Sequence, residues 1–507
     1  MLEPIHQNEG TTERERYLGK LASSQFFSLW SYPGLVRRGK KGVNKEFADL
    51  TVIFGDDIVL FSDKDIAWPT HSDIMVAWSR WFRAAVVESA AQLWGAEKHL
   101  RSSDPSIYLD ARCEIPFPFP SISPQTRIHL IAVASNSVEP ARKYFDAHGV
   151  GSSGTLMHAF GLPEYAEGDH PFVVGDLNSN KPFIHIFDEE TLDHLLLELG
   201  TISDFIHYVT EKERAIRSGR LIHYAGEEEL LGFYLQEQTP IGYGSLPFAH
   251  PRTARDDMSV MIPEGEWNAY VDSDAYRVRS QLKERARQWF DLIEPFSTAV
   301  LSAQTGEANE TPLDMHELVL RMAASENLAS RARLATAFVE KYESVPPEIR
   351  TSRVTACLCH PGRLYVFLFV PWIYRSATYA EYRAYRLQLM KCYATVVPVK
   401  FPGVREVLVV GAQTHDATGT RSETMIYTRY DQLLSPAEIA EATELMESES
   451  ILAELPIQPL GIGANAAVEA RRFGRNERCP CGSLKKNKKC CNITGARYGT
   501  TYQARIR

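Results

Sequence analysis

The sequence predicts a multidomain protein of mixed α/β and α+β class, with a small metal-binding element appended near the C-terminal end. Three observations carry that expectation. The 507 residues, 44% hydrophobic and 23% charged, suffice for about three compact domains. Short runs alternating at the strand period are interleaved with longer runs at helical spacing. Four of the eight cysteines are crowded into Cys479–Cys491, CPCGSLKKNKKCC.

At the N-terminal side, Glu13 to Gln25 has helical spacing, and SLWSYPGL after it reads as a turn at Pro33-Gly34. A basic loop follows, RRGKKGVNK. Then EFADLTVIFGDDIVLFSDKDI from Glu46 reads as two strands joined at Gly55-Asp56-Asp57. Asp49 opens the first strand and Lys64 lies near the end of the second, so a hairpin sets them side by side at one end of a sheet. A metal-dependent phosphodiesterase uses such a pair, the acid for Mg²⁺ or Mn²⁺ and the lysine beside the scissile phosphate. AWSRWFRAAVVESAAQLWGAEKHL from Ala77 is helical with Trp78, Trp81 and Phe82 on its apolar face, and RIHLIAVAS from Arg127 is a strand.

The order helix, hairpin, helix, strand over roughly residues 10–140 resembles the restriction-endonuclease-like core of the PD-(D/E)xK nuclease superfamily. The resemblance implies a catalytic set of Asp49, Asp63 and Lys64, with Glu13 or Glu15 as an acid on the first helix. It breaks at Ser62. That residue is two before the lysine and shares its face, whereas Asp63 points the other way unless a bulge rotates it.

The middle of the chain carries less chemistry. Residues 188–217 give two amphipathic helices separated at Gly200-Thr201, and Glu227 to Gln236 gives another. His185, His194, His207 and His223 lack metal-ligand spacing and read as surface or core histidines. Further on, LYVFLFVPW, REVLVVGAQ and TMIYTRY read as strands. ATYAEYRAYRLQLMKCYATVV is a long helix, and SPAEIAEATELMES is a helix capped by Ser435 with Pro436 in its first turn. Cys357-Leu358-Cys359-His360 has the look of half a metal site without a second half, so buried cysteines at a strand edge are expected there. No Walker A loop, GxSxG elbow, HExxH or dinucleotide fingerprint is present.

The tail differs in charge. Residues 471–507 hold eleven Lys or Arg against one acid, a net +10, while residues 1–470 carry −19. In the cysteine cluster, CxC and CC pairs separated by eight residues can meet around one tetrahedral Zn²⁺ when Gly482-Ser483 turns the chain back. Lys485, Lys486, Lys488 and Lys489 offset the excess thiolate charge. The alternative, a disulfide pair, runs against the strain of a vicinal bridge and the sparse cysteines elsewhere.

Phe473 to Cys491, FGRNERCPCGSLKKNKKCC, resembles the SEC-C motif, a zinc-binding element that ends many SecA-type preprotein translocase ATPases and caps many unrelated bacterial proteins. The resemblance implies Cys479, Cys481, Cys490 and Cys491 as ligands of a structural zinc. It also implies contact with protein, ribosome or nucleic acid. Glu477-Arg478, Leu484, Asn487 and Asn492 depart from the family pattern, and none supplies a ligand.

The expected organisation is a nuclease-like domain over 1–150, a mainly helical domain over 151–350 and a small α/β domain over 351–454. A linker over 455–472, the zinc motif over 473–492 and a basic tail over 493–507 complete it. No apolar targeting segment opens the sequence and no run spans a bilayer, so a cytoplasmic location is expected and membrane partners are not. Two functions fit: a bacterial metal-dependent nuclease or nuclease-derived nucleic-acid factor, with defence as a context, and a non-catalytic adapter docked through its zinc module.

Overall fold

The computed structural model describes residues 2–39, 43–119, 122–147, 149, 151–161, 168–249, 259–372, 378–415, 422–460 and 501–505. The cysteines expected to hold zinc, Cys479, Cys481, Cys490 and Cys491, lie outside the described residues. The chain divides into two compact units. The first is Met1–Thr239 with Tyr243–Arg277 and Ile293–His316; the second is Pro240–Gly242 with Val278–Leu292 and Glu317–Arg507.

The first unit opens with helix α1 (Glu13–Phe26), started by a capping box in which Thr12 accepts from the Glu15 N–H. Strands β1 (Ser31–Arg37), β2 (Lys45–Phe54) and β3 (Asp57–Lys64) form an antiparallel meander. Gly55, at φ 63°, takes the first position of the two-residue turn that closes the hairpin, a conformation costly for any other residue. Helices α2 (Ile74–Phe82) and α3 (Glu88–Leu100), joined by a π-helical turn over Arg83–Val87, cross over to β4 (Arg127–Ala134), which lies parallel to β3. Helix α4 (Val138–Asp146) follows. The sheet closes with β7 (Ile184–Phe187), giving the order β1-β2-β3-β4-β7.

The expected helix, hairpin, helix and strand are all present at their expected places. The stretch Ser31–Arg37 is a strand where a turn was expected. Its edge position explains this, because an edge strand tolerates the missing N–H of Pro33.

One face of this sheet carries Ile58, Leu60, Leu130, Ala132, Ile184 and Ile186 into a core shared with Trp78, Trp81, Phe82 and Leu93 of the α2–α3 crossover. On the opposite face Phe61 and Phe26 pack against Phe205 of the helix Ile202–Arg217. That helix is parted from Glu189–Leu199 by Gly200 at φ 70° and by the Thr201 N-cap. A second sheet of the same unit joins β5 (Met157–Ala159), β6 (Val173–Val174), β8 (Leu221–Tyr224) and β9 (Val260–Ile262) in the order β6-β5-β8-β9. Its strands are two to four residues long, too short to give a period-2 signal in sequence.

In the second unit β10 (Thr351–Ala356) and β11 (Arg363–Val370) form a hairpin. The helix Tyr379–Lys400 then carries the chain to β12 (Glu406–Gln413), parallel to β11, and β13 (Glu423–Arg429) lies antiparallel beside it. Strand β14 (Thr501–Arg505) pairs with β10. Leu364, Val366, Leu368, Val407 and Val409 meet Met390, Tyr393 and Val397 of the long helix in one core. Among the described residues no helix is long and apolar enough to cross a membrane.

Candidate functional site

Asp49 lies in mid-β2, and the register Leu50↔Phe61 sets it across from Ser62 on β3. The pairing of β2 with β3 runs without a bulge from Leu50 to Phe54, and β3 is paired with β4 along its whole length from Asp57 to Lys64. Side chains therefore alternate strictly. Ser62 and Lys64 share the face of Asp49, and Asp63 takes the other. The structure thus brings Asp49 and Lys64 to one end of one face but does not turn the Asp63 carboxylate toward them. Asp63 is held instead by Arg14 of α1, 3.3 Å away.

The Asp49 carboxylate is occupied. Its Oδ2 accepts the backbone N–H of Asp63 at 2.6 Å, and its Oδ1 accepts from Gln92 Nε2 of α3 at 3.3 Å. Ser62, wholly buried, is hydrogen-bonded at 3.3 Å to Ser89 Oγ and to Gln92 Oε1. An amide and two hydroxyls thus fill the place where a second carboxylate would complete a cation site. Gln92 was visible in the sequence only as a polar residue on the crossover helix, one turn from Glu88. Nothing in its spacing marked it as the partner of Asp49.

The electrostatics agree with this geometry. Burial pushes the Asp49 carboxyl above its ordinary value, against the pull of Lys64 and the donors from Asp63 and Gln92. Asp63 is raised to about 6 by burial, with Arg14 opposing. Glu46, at the start of β2, is pushed up to about 7 by loss of surrounding water and then by the charges of Asp49 and Glu15. Glu15 of α1 is thus close enough to be felt at the site. Glu13, the other acid considered on that helix, contributes to none of these shifts.

Among the described residues one group of side chains can hold a metal ion, and it is in the second unit. Glu326, Cys359 and His360 present ligand atoms all within 4.8 Å of one another. Glu326 precedes the Asn327 N-cap of the helix Leu328–Ser344, and the cysteine and histidine sit in the β10–β11 turn. Glu326 is fully buried. Against that desolvation the Arg363 charge holds its carboxyl down at about 2. Sequence reading left Cys357-Leu358-Cys359-His360 without a second half because Glu326 is some thirty positions away and carries no motif.

The four histidines of the middle segment join no such group among the described residues. His194 stacks on Trp267 and His207 on Tyr243, with ring centroids 5.2 and 4.3 Å apart. His185 is buried between Phe183 and Phe187, and His223 lies on β8.

Compared with family models, curated proteins and solved structures, the chain matches none.

Proposed function

We propose that this protein is a nucleic-acid-binding factor built on a nuclease-like first unit, zinc-bearing at its C-terminal end, whose hairpin site holds rather than cuts. The observation that carries the reading is the filled position across from Asp49. Ser62, Ser89 and Gln92 form a closed hydrogen-bonded set where a metal-dependent nuclease needs a second carboxylate. The sheet order and the placement of Asp49 and Lys64 support the nuclease-like part. Support for binding comes from the chain path: Arg37 ends β1, Lys45 begins β2, and both lie at the sheet end where β3 finishes at Lys64. Arg37 and Lys45, which bound the basic segment RRGKKGVNK, therefore lie at the same sheet end as the site.

The test pairs two assays on the full chain. Single- and double-stranded DNA and RNA are incubated with Mg²⁺ or Mn²⁺, and binding is followed as salt is raised. Expected are no cleavage and an affinity that falls steeply with log[salt]. Cleavage lost in Asp49→Ala and Lys64→Ala would overturn the holding role and restore a nuclease. Absence of any salt-sensitive binding would overturn the nucleic-acid reading. That second outcome points to an adapter, which the −19 charge of residues 1–470 favours because such a body repels phosphate.

A further inference from the structure

The β10–β11 turn holds more than the buried cysteines expected there: Cys359 is buried and Cys357 is half-buried. Cys357 and Cys359 place their sulfurs 3.8 Å apart. Two thiolates bound to one tetrahedral Zn²⁺, each about 2.3 Å from it, stand about 3.8 Å apart. Both thiols converge on a single oxygen, Glu326 Oε2, Cys357 Sγ at 2.8 Å and Cys359 Sγ at 3.2 Å. A bound ion would open these sulfur–oxygen distances to about 3.5 Å, a shift of about 0.3 Å for Cys359 and about 0.7 Å for Cys357.

The other carboxylate oxygen is committed elsewhere. Glu326 Oε1 accepts from Arg363 Nη1 at 2.9 Å and from Tyr365 OH at 2.7 Å, while Oε2, turned to the sulfurs, also accepts from Ser330 Oγ at 2.5 Å, so the group is clamped at both oxygens. His360 is oriented in the same manner. Its Nε2 lies 3.1 Å from the Ser325 carbonyl, which accepts its proton and leaves Nδ1 with a free lone pair. Ligating carboxylates and histidines are held by outer partners of this kind.

We infer that Cys357 Sγ, Cys359 Sγ, Glu326 Oε2 and His360 Nδ1 form a four-ligand site for a soft divalent cation of the zinc type. Binding replaces two S–H bonds with two metal–sulfur bonds and releases two protons to solvent. The ion's +2 and the Arg363 guanidinium meet two thiolates and the carboxylates of Glu326 and Glu406, with imidazole neutral, so the local charge is −1. Cys357 and His360 are both partly exposed, which gives the ion a way in. This ligand set shares no residue with the cysteines Cys479, Cys481, Cys490 and Cys491 of the proposed tail site.

The test removes the tail cluster first. In the full chain with Cys479, Cys481, Cys490 and Cys491 all changed to serine, about one equivalent of zinc should remain by elemental analysis. Co²⁺ in its place should give a thiolate-to-metal charge-transfer band. Cys357→Ser/Cys359→Ser in that background should abolish the band, and Cys359→Ser alone should weaken it. Tyr365→Phe, which loosens only the outer clamp, should weaken affinity about 10–100-fold. A measurement free of folding effects uses the unsubstituted turn: added zinc should slow alkylation of Cys357 and Cys359, read by peptide mass, while leaving Cys113 and Cys392 unchanged. No retained metal with no protection of the two thiols would overturn the site. So would a band that survives Cys357→Ser/Cys359→Ser, or a Cys357–Cys359 disulfide that persists under thiol reductant.

Discussion

Lys212 and Glu227 form an ion pair inside the first unit whose loss should be expensive in a calculable way. The ammonium stands 2.6 Å from Glu227 Oε2, and each side chain is only 1% exposed. Glu227 Oε1 accepts from Tyr208 OH at 2.7 Å, and the Phe187 ring lies 4.7 Å from the ammonium. His158 Nε2 is 3.8 Å from the same carboxylate. Burial, and then the Lys212 charge, hold His158 well below its ordinary value, so it supplies no second cation at neutral pH.

Lys212→Met therefore leaves a buried carboxylate with hydroxyl donors but no counter-charge. Breaking such a pair costs about 3–5 kcal/mol, and the surviving Tyr208 bond sets the lower end, about 3 kcal/mol. Urea unfolding followed by tryptophan fluorescence suits the test, because Trp30, Trp68, Trp78, Trp81, Trp94 and Trp267 all belong to the first unit. With a slope of about 3 kcal/mol per molar, the midpoint should fall by about 1 M. The double variant Lys212→Met/Glu227→Gln removes both charges and should recover at least about 1 kcal/mol of the loss. A single variant within about 0.5 kcal/mol of wild type, or a double variant worse than the single, would refute the uncompensated-charge account.

Two further expectations concern the same unit. Because Asp63 titrates near 6 when folded, above the unfolded carboxylate value, the folded state binds its proton longer, and stability should fall as pH rises from about 4 to about 6. Asp63→Asn should lose that slope and be more stable than wild type by about 1–3 kcal/mol at pH 7 in chemical denaturation; parallel pH profiles would count against it. Gly154 has φ 82°, and a Cβ there would lie 2.4 Å from the Val138 carbonyl oxygen, so Gly154→Ala should cost at least about 2 kcal/mol in thermal unfolding. An unchanged melting temperature would show that the backbone there relaxes freely.

Elements whose signal is local were legible in the sequence. The β2–β3 hairpin announced itself through β-branched alternation and Gly55. The helices starting at Thr201 and Ser435 announced themselves through their caps. Elements defined by partners were not. Strand β1 contains Pro33, and only its place at a sheet edge makes a strand there tolerable. The short strands of the second sheet are held by tertiary pairing rather than by pattern. The same division governs the sites. Asp49, Ser62, Asp63 and Lys64 could be placed on their faces from strand alternation alone. Gln92 and Glu326 could not, since each reaches its site across a fold whose geometry no spacing encodes.

That contrast bears on why the end of the hairpin where Asp49 and Lys64 lie side by side is poorly suited to a divalent cation. To coordinate a divalent cation, Asp49 must surrender hydrogen bonds from Asp63 N–H and Gln92, each to a charged acceptor and worth about 1.5–3 kcal/mol. A Mg²⁺ ion that repaid this would need further oxygens of formal charge, and the facing position offers the hydroxyl of Ser62. The elevated Asp63 carboxyl does not help, because it points to the far face and is paired with Arg14. The same arrangement leaves the Lys64 ammonium free of a direct carboxylate clamp among the described residues, at the sheet end from which the basic loop departs. On the proposed reading, a phosphate approaching there would meet the Lys64 ammonium and no set of carboxylates arranged to hold a metal, so that the chemistry left at that end would be attraction.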